Sequence, residues 1–151
     1  MEAILLVSLS IMINDTPNGF IISSRGIRQG DPLSPYFLII CMVVLSQSLT
    51  KEAFSHKSGI GVKIYPRVTT IPCLLFTYDC LLFCKAQQWS CTRLRNLLES
   101  FCTNSGQLIN LHKSSLTASK NASNSQKQLV IGIFNIVHTD GLGKYPGCLV
   151  F

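Results

Sequence analysis

The sequence predicts an α+β fold, on three observations. Short extended runs, Leu9–Ile13 and Phe20–Ser23, flank the turn-forming stretch Asn14-Asp15-Thr16-Pro17-Asn18-Gly19. Two helix-start signals, Asp31-Pro32 and Ser34-Pro35, stand directly before a long apolar stretch. Farther on, Leu94, Leu97, Leu98, Phe101 and Cys102 recur at i, i+3, i+4, i+7 and i+8, one face of a helix. At 151 residues the chain is of single-domain size and long enough to bury a core. Its residues are 47% hydrophobic and 13% charged, which excludes an intrinsically disordered chain.

In the first hairpin Pro17 presets φ and Gly19 permits a positive φ, so a long loop is expected between the two strands. Arg25-Gly26-Ile27-Arg28-Gln29-Gly30 then reads as a flexible cationic loop. Asp31 and Ser34 each offer an N-cap with proline at the first helical position, and a helix is expected to about Lys51. Its first turns are apolar on all faces, so central burial is expected.

Gly59 to Pro72 reads as loop and short strand. Cys73–Phe76 and Leu81–Cys84 are apolar runs of strand length, joined by Thr77-Tyr78-Asp79-Cys80 as a tight turn. A second helix is expected from about Ser90 to Asn104, with Gly106 at its C-cap. Gln107–Leu111 resumes strand character, Thr117–Gln126 is a polar loop, Gln126–Phe134 a short helix, and Gly141–Phe151 a turn then strand.

The chain holds 13 Lys and Arg against 7 Asp and Glu, a net charge of +6. The excess lies after residue 50 and favours polyanionic partners through counterion release. The longest apolar run, Tyr36–Leu45, has ten residues. A membrane span needs about 20, so none is expected. Ala3–Ile13 lacks a basic leader region and a cleavage site, so it reads as a strand rather than a signal peptide. The seven cysteines are odd in number and contain no C-x-x-C, which fits free thiols in a nuclear or cytoplasmic compartment rather than disulfides or zinc. His56, His112 and His138 have no ligand spacing, and Trp89 reads as a packing residue.

Arg25-Gly26-Ile27-Arg28-Gln29-Gly30-Asp31-Pro32-Leu33-Ser34-Pro35 is a long and specific string. It resembles the template-gripping motif of reverse transcriptases from plant non-LTR (LINE-type) retrotransposons. Two arginines can neutralise phosphates and two glycines let backbone approach a strand closely. The remaining segments resemble the same family in order. Gly19-Phe20 matches the hairpin before that motif, and Leu74 to Ala86 the catalytic hairpin. Ser105-Gly106-Gln107-Leu108-Ile109-Asn110 with Lys113-Ser114 matches the next strand motif, and Gly143-Lys144-Tyr145-Pro146-Gly147 the approach to the primer grip and thumb.

The resemblance implies a partial polymerase palm, a split βαββαβ (ferredoxin-like) sheet with an N-terminal β-hairpin and the first palm strand missing. It implies one domain over residues 1–151, truncated at both ends, with RNA template and DNA primer as partners. Arg25, Gly26, Arg28, Gln29, Gly30 and Pro32 are then the template or nucleotide contacts. Tyr36 helps to shape the nucleotide pocket, and Lys113 matches a lysine that can protonate leaving pyrophosphate.

Nucleotidyl transfer in this family uses two Mg²⁺ ions, hard cations that prefer carboxylate oxygens. The family's catalytic hairpin carries an Asp-Asp pair, and here Tyr78 replaces the first of the two and Asp79 matches the second. A phenol of pKa ~10 is neutral at pH 7 and a poor Mg²⁺ ligand. Glu2 and Asp15, the only carboxylates before Arg25, do not match the family's upstream catalytic strand. Val43 and Pro146 also stand where the family has an acidic residue and a leucine. The resemblance therefore implies a reverse transcriptase fragment without activity or bound Mg²⁺. The rival reading is a non-catalytic nucleic-acid-binding remnant. No feature specifies an oligomeric state.

Overall fold

Asn14 and Asp15 turn the chain back on itself. Both have positive φ, 49° and 60°, the pairing of conformations that a two-residue hairpin turn requires. They join β1 (Ser8–Ile13) to β2 (Thr16–Ile22), with Ile13 facing Thr16. The expected long loop is thus a tight turn, and Pro17, Asn18 and Gly19 belong to the strand. The register slips between Leu9 and Ile11, so that Gly19 and Phe20 together face Ser10 in a β-bulge. The bulge accommodates the turn-forming residues without ending the ladder. The computed structural model describes residues 8–22, 30–55, 58–76 and 79–139.

Helix α1 runs Ser34–Ala53. Asp31, rather than Ser34, organises its start: the Asp31 carboxylate accepts from the Leu33 N–H at 2.8 Å, and its carbonyl accepts from the Ser34 N–H at 3.1 Å. Central burial of the first turns is not observed. Tyr36, Ile39, Ile40, Val43 and Val44 are exposed, and only Leu45 and Leu49 are buried. The apolar stretch guarantees a helix that seeks apolar contact on every side. Among the described residues, the core takes in Met42, Leu45 and Leu49 of this helix, and its first two turns stay outside it. This helix is also long and apolar enough, by length and composition alone, to cross a membrane. Ser46, Gln47, Ser48 and Thr50 interrupt its second half.

Strands β3 (Cys73–Phe76) and β4 (Asp79–Leu82) form an antiparallel hairpin with Phe76 facing Asp79. Asp79 is therefore the first residue of β4. Backbone bonds extend the hairpin toward the 59–62 segment: Gly61 N–H donates to Phe83 O at 2.7 Å, and Lys85 N–H to Gly59 O at 2.7 Å. Gly59, at φ +65°, lies directly against Ser90, and a Cβ there would overlap the Ser90 Oγ.

Helix α2 (Gln88–Ser105) ends at Gly106, whose φ of 73° makes the expected left-handed cap. The expected strand over Gln107–Leu111 is absent. Asn110 instead builds a turn, accepting from the Lys113 N–H at its side chain (3.2 Å) and from the Ser114 Oγ at its carbonyl (2.8 Å). Local side-chain bonding competes with a strand ladder here.

The C-terminal part of the described chain is a small crossover unit. β5 (Ser115–Leu116) and β6 (Val137–His138) pair in parallel, and α3 (Asn124–Phe134) connects them. Ser123 and Gln126 form a reciprocal capping box that starts α3 two residues before the position expected from its apolar pattern. Residues Gly141–Phe151, expected as turn and strand, lie outside the described residues.

The architecture is a mixed α+β one. Among the described residues the strands form three separate two-stranded sheets. The core gathers Leu45 and Leu49 of α1, Ile60, and Leu94 and Leu98 of α2. Met42, Cys73, Cys80, Leu82, Cys84, Leu97, Phe101 and Phe134 pack around it. An ion pair between Glu52 and Arg93 ties the end of α1 to α2, and Arg95 Nη1 donates to Ile133 O at 2.8 Å, tying α2 to the end of α3.

Candidate functional site

The β3–β4 hairpin is half-inserted. Cys73 on β3, with Cys80 and Leu82 on β4, packs on the core, while Leu74 and Phe76 face outward and are exposed. This alternation follows from the period of two along a strand. It leaves Asp79 exposed at the head of β4, one residue before the first core contact of that strand. Thr77 and Tyr78, the two residues between the strands, lie outside the described residues.

Within the string that resembles the template grip, Arg25, Gly26, Arg28 and Gln29 lie outside the described residues. Gly30 has φ +85° with open space around it, Pro32 is exposed in the following turn, and Tyr36 is 66% exposed on the first turn of α1. Lys113 is exposed in the Asn110 turn after α2. Asp79, Tyr36 and Lys113 thus occupy three separate elements. The elements carrying Asp79 and Tyr36 share the core, while Lys113 sits on a loop beyond it.

The carboxylates around these positions are otherwise engaged. Glu52 pairs with Arg93, Glu99 accepts from Arg95 Nε at 2.7 Å, Asp31 holds the turn before α1, and Asp15 sits in the β1–β2 turn. No group of three or more His, Cys, Asp or Glu able to hold a metal ion occurs among the described residues. Asp79, the one described carboxylate at the hairpin, does not by itself make the donor set that two Mg²⁺ ions require.

The positive charge is partly spent within the fold. Arg93 lies 4.7 Å from the Trp89 ring centroid while it pairs with Glu52, and Arg95 is shared between Glu99 and the α3 carboxyl end. The i,i+4 spacing of Trp89 and Arg93 would have shown this contact in advance. An open depression lined by Gly59, Lys85, Gln87 and Trp89 lies at the start of α2.

Four cysteines gather at the same core. Burial pushes the Cys80 thiol up to about 12, with nearby Cys73 adding to the effect, and burial also raises Cys73 itself. Cys84 and Cys91 are neighbours, with sulfurs 3.9 Å apart. The Cys84 S–H favours a thiolate on Cys91 and lowers its pKa to about 7, against the opposing effect of burial. The same contact raises Cys84, as does its burial. The spacing C-x6-C gave no sign of this pair.

The family model for reverse transcriptase (RNA-dependent DNA polymerase) matches residues 2–133. The chain belongs to the reverse transcriptase family. It is also similar to an uncharacterized mitochondrial protein of Arabidopsis thaliana, 42% identical over 71 residues. That match takes in 47% of this chain and 57% of the relative's length. In this family nucleic acid is the substrate and divalent metal the cofactor. The matched range contains every site position named above; Gly143–Gly147 falls after it.

Proposed function

We propose that this chain is a fragment of a non-LTR retrotransposon reverse transcriptase domain, part of a split palm, that does not polymerise. The observation carrying this reading is the catalytic hairpin, where Tyr78 precedes a lone Asp79. Losing a charged ligand from a two-metal site removes much of the charge stabilisation on which in-line phosphoryl displacement depends. The other described carboxylates already serve turns and ion pairs, so none substitutes for it. Asp79 and Lys113 remain as remnants of the site, with Mg²⁺ not bound. The free thiols fit a nuclear or cytoplasmic location.

Primer extension on an RNA template with Mg²⁺ or Mn²⁺ tests the reading. No template-dependent incorporation above a blank preparation is expected, and incorporation would overturn it.

The +6 charge supports a second role, nucleic-acid binding without catalysis. Arg25, Gly26, Arg28, Gln29, Gly30 and Pro32 supply the backbone contacts in this reading, with Tyr36 beside them. The plot of log binding constant against log salt should flatten by about 2 when Arg25 and Arg28 become Ala, one phosphate contact each. An unchanged slope would remove the loop from the interface.

A further inference from the structure

We propose that Cys84 and Cys91 form a reversible disulfide, an oxidant-sensitive clasp between the strand end after β4 and the first turn of α2. Their sulfurs are 3.9 Å apart. A disulfide needs about 2.05 Å, a closure within reach of side-chain rotation. Both residues are held in place by backbone bonds. Cys84 bridges Ile60 across the extended hairpin, and Lys85 N–H donates to Gly59 O at 2.7 Å. Cys91 N–H donates to Gln87 O at 3.0 Å, and the Cys91 sulfur donates to Lys85 O at 3.5 Å.

The electrostatics favour loss of the first proton from the pair. Cys91 lies in the first turns of an 18-residue helix whose first turn carries no acid, so the helix dipole favours a thiolate there. The hydrogen bond from Cys84 lowers the Cys91 pKa in the same direction. The pair thus holds one shared proton once the first is lost. Cys73 and Cys80 lie on the hairpin itself, where burial keeps both thiols protonated.

The oxidant is hydrogen peroxide. Cys84 is half-buried and Cys91 fully buried, so peroxide meets Cys84 first. The Cys84 proton first passes to the Cys91 thiolate across the 3.9 Å contact, and the Cys84 sulfur then attacks a peroxide oxygen. The O–O bond breaks, hydroxide leaves and takes up a proton as water, and Cys84 becomes a sulfenic acid. The Cys91 sulfur then gives up its proton and attacks the Cys84 sulfur. The S–S bond forms, the S–O bond breaks, and the hydroxide leaves as a second water. Two thiols are oxidised and one peroxide is reduced.

Tryptic digestion of the full chain after peroxide treatment and alkylation tests this. Cleavage after Arg67, Lys85 and Arg93 places Cys84 in peptide 68–85 and Cys91 in peptide 86–93. The two peptides should appear joined, lighter than their sum by two hydrogens, and should separate with dithiothreitol. Peptide 68–85 also holds Cys73 and Cys80, so variants assign the bond. The link should vanish in Cys84→Ser and in Cys91→Ser and persist in Cys73→Ser and in Cys80→Ser. A link that survives in Cys84→Ser, or peroxide-treated wild type with both cysteines alkylated as free thiols or overoxidised, would overturn the proposal.

Discussion

The two ends of α1 belong to different environments. From Leu45 onward the helix meets Ile60, Leu94 and Leu98, and Leu49 is fully buried. Toward its start, Ile39, Ile40, Val43 and Val44 stay in contact with solvent. The β1–β2 hairpin continues the exposed region: Phe20 is 84% and Ile22 77% exposed, although the strand ladder is formed. The exposed half of α1 is the more apolar of the two, since Ser46, Gln47, Ser48 and Thr50 interrupt the buried half. What differs is the number of elements that converge. The core at Leu49 gathers α1, α2 and the Ile60 segment, whereas among the described residues β1 and β2 pair with each other alone. Secondary structure forms in both because backbone hydrogen bonds are local. Burial, which provides the main favourable term in folding, forms only where elements meet.

The sharpest break in this contrast is Leu49→Ala, at the point where α1 and α2 share the core. It should cost about 3 kcal/mol, read from the denaturant midpoint, since a large buried side chain is replaced by a cavity. Loss of less than about 1 kcal/mol would show that the core is not closed around it.

Gly59→Ala comes next. It combines φ +65° with overlap at Ser90, and should cost about 2 kcal/mol. A neutral effect would mean that Ser90 has room to move aside.

The cysteine pair predicts a pH dependence confined to the core. Cys91 is lowered from 9.0 to about 7, so between those values the folded chain carries one more thiolate than the unfolded chain. Stability should rise with pH across that window. Above about 9 the sign reverses, because the unfolded chain then ionises Cys84, Cys73 and Cys80 while the folded chain holds them protonated. Unfolding midpoints from pH 6 to 10 test this, and a profile identical in Cys91→Ala would exclude the pair as its source.

Ser123→Ala removes the α3 cap and should cost about 1 kcal/mol, most visible as faster hydrogen exchange in the first turn of that helix. The smallest effect belongs to the exposed end. Phe20→Ser should change stability by less than about 0.5 kcal/mol while raising the concentration at which the chain stays in solution. A large loss of stability would show that the hairpin is packed after all.

Much of the organisation could be read from residue patterns. The α2 face at Leu94 and Leu98, its Gly106 cap and the β3–β4 hairpin follow from periodicity and turn chemistry, which are local. The Arg25–Pro35 string and the segments that follow it in order resemble the family that the match over residues 2–133 shows. The departures have local causes too: Asn14-Asp15 competes as a turn with Pro17-Asn18-Gly19, and Asn110 bonds its own turn in place of a strand. Ser123 with Gln126 was a readable helix start that the apolar pattern obscured.

Three features required the assembled chain. Asp31, Glu52 and Glu99 are committed to a turn and two ion pairs, which no count of carboxylates reveals. Cys84 and Cys91 meet because the strand end folds back over the start of α2, a distance set by packing. The division of α1 into a buried and an exposed half likewise depends on where its neighbours end. Sequence specifies which side chains prefer to leave water, but only the tertiary arrangement supplies the partners that remove them from it.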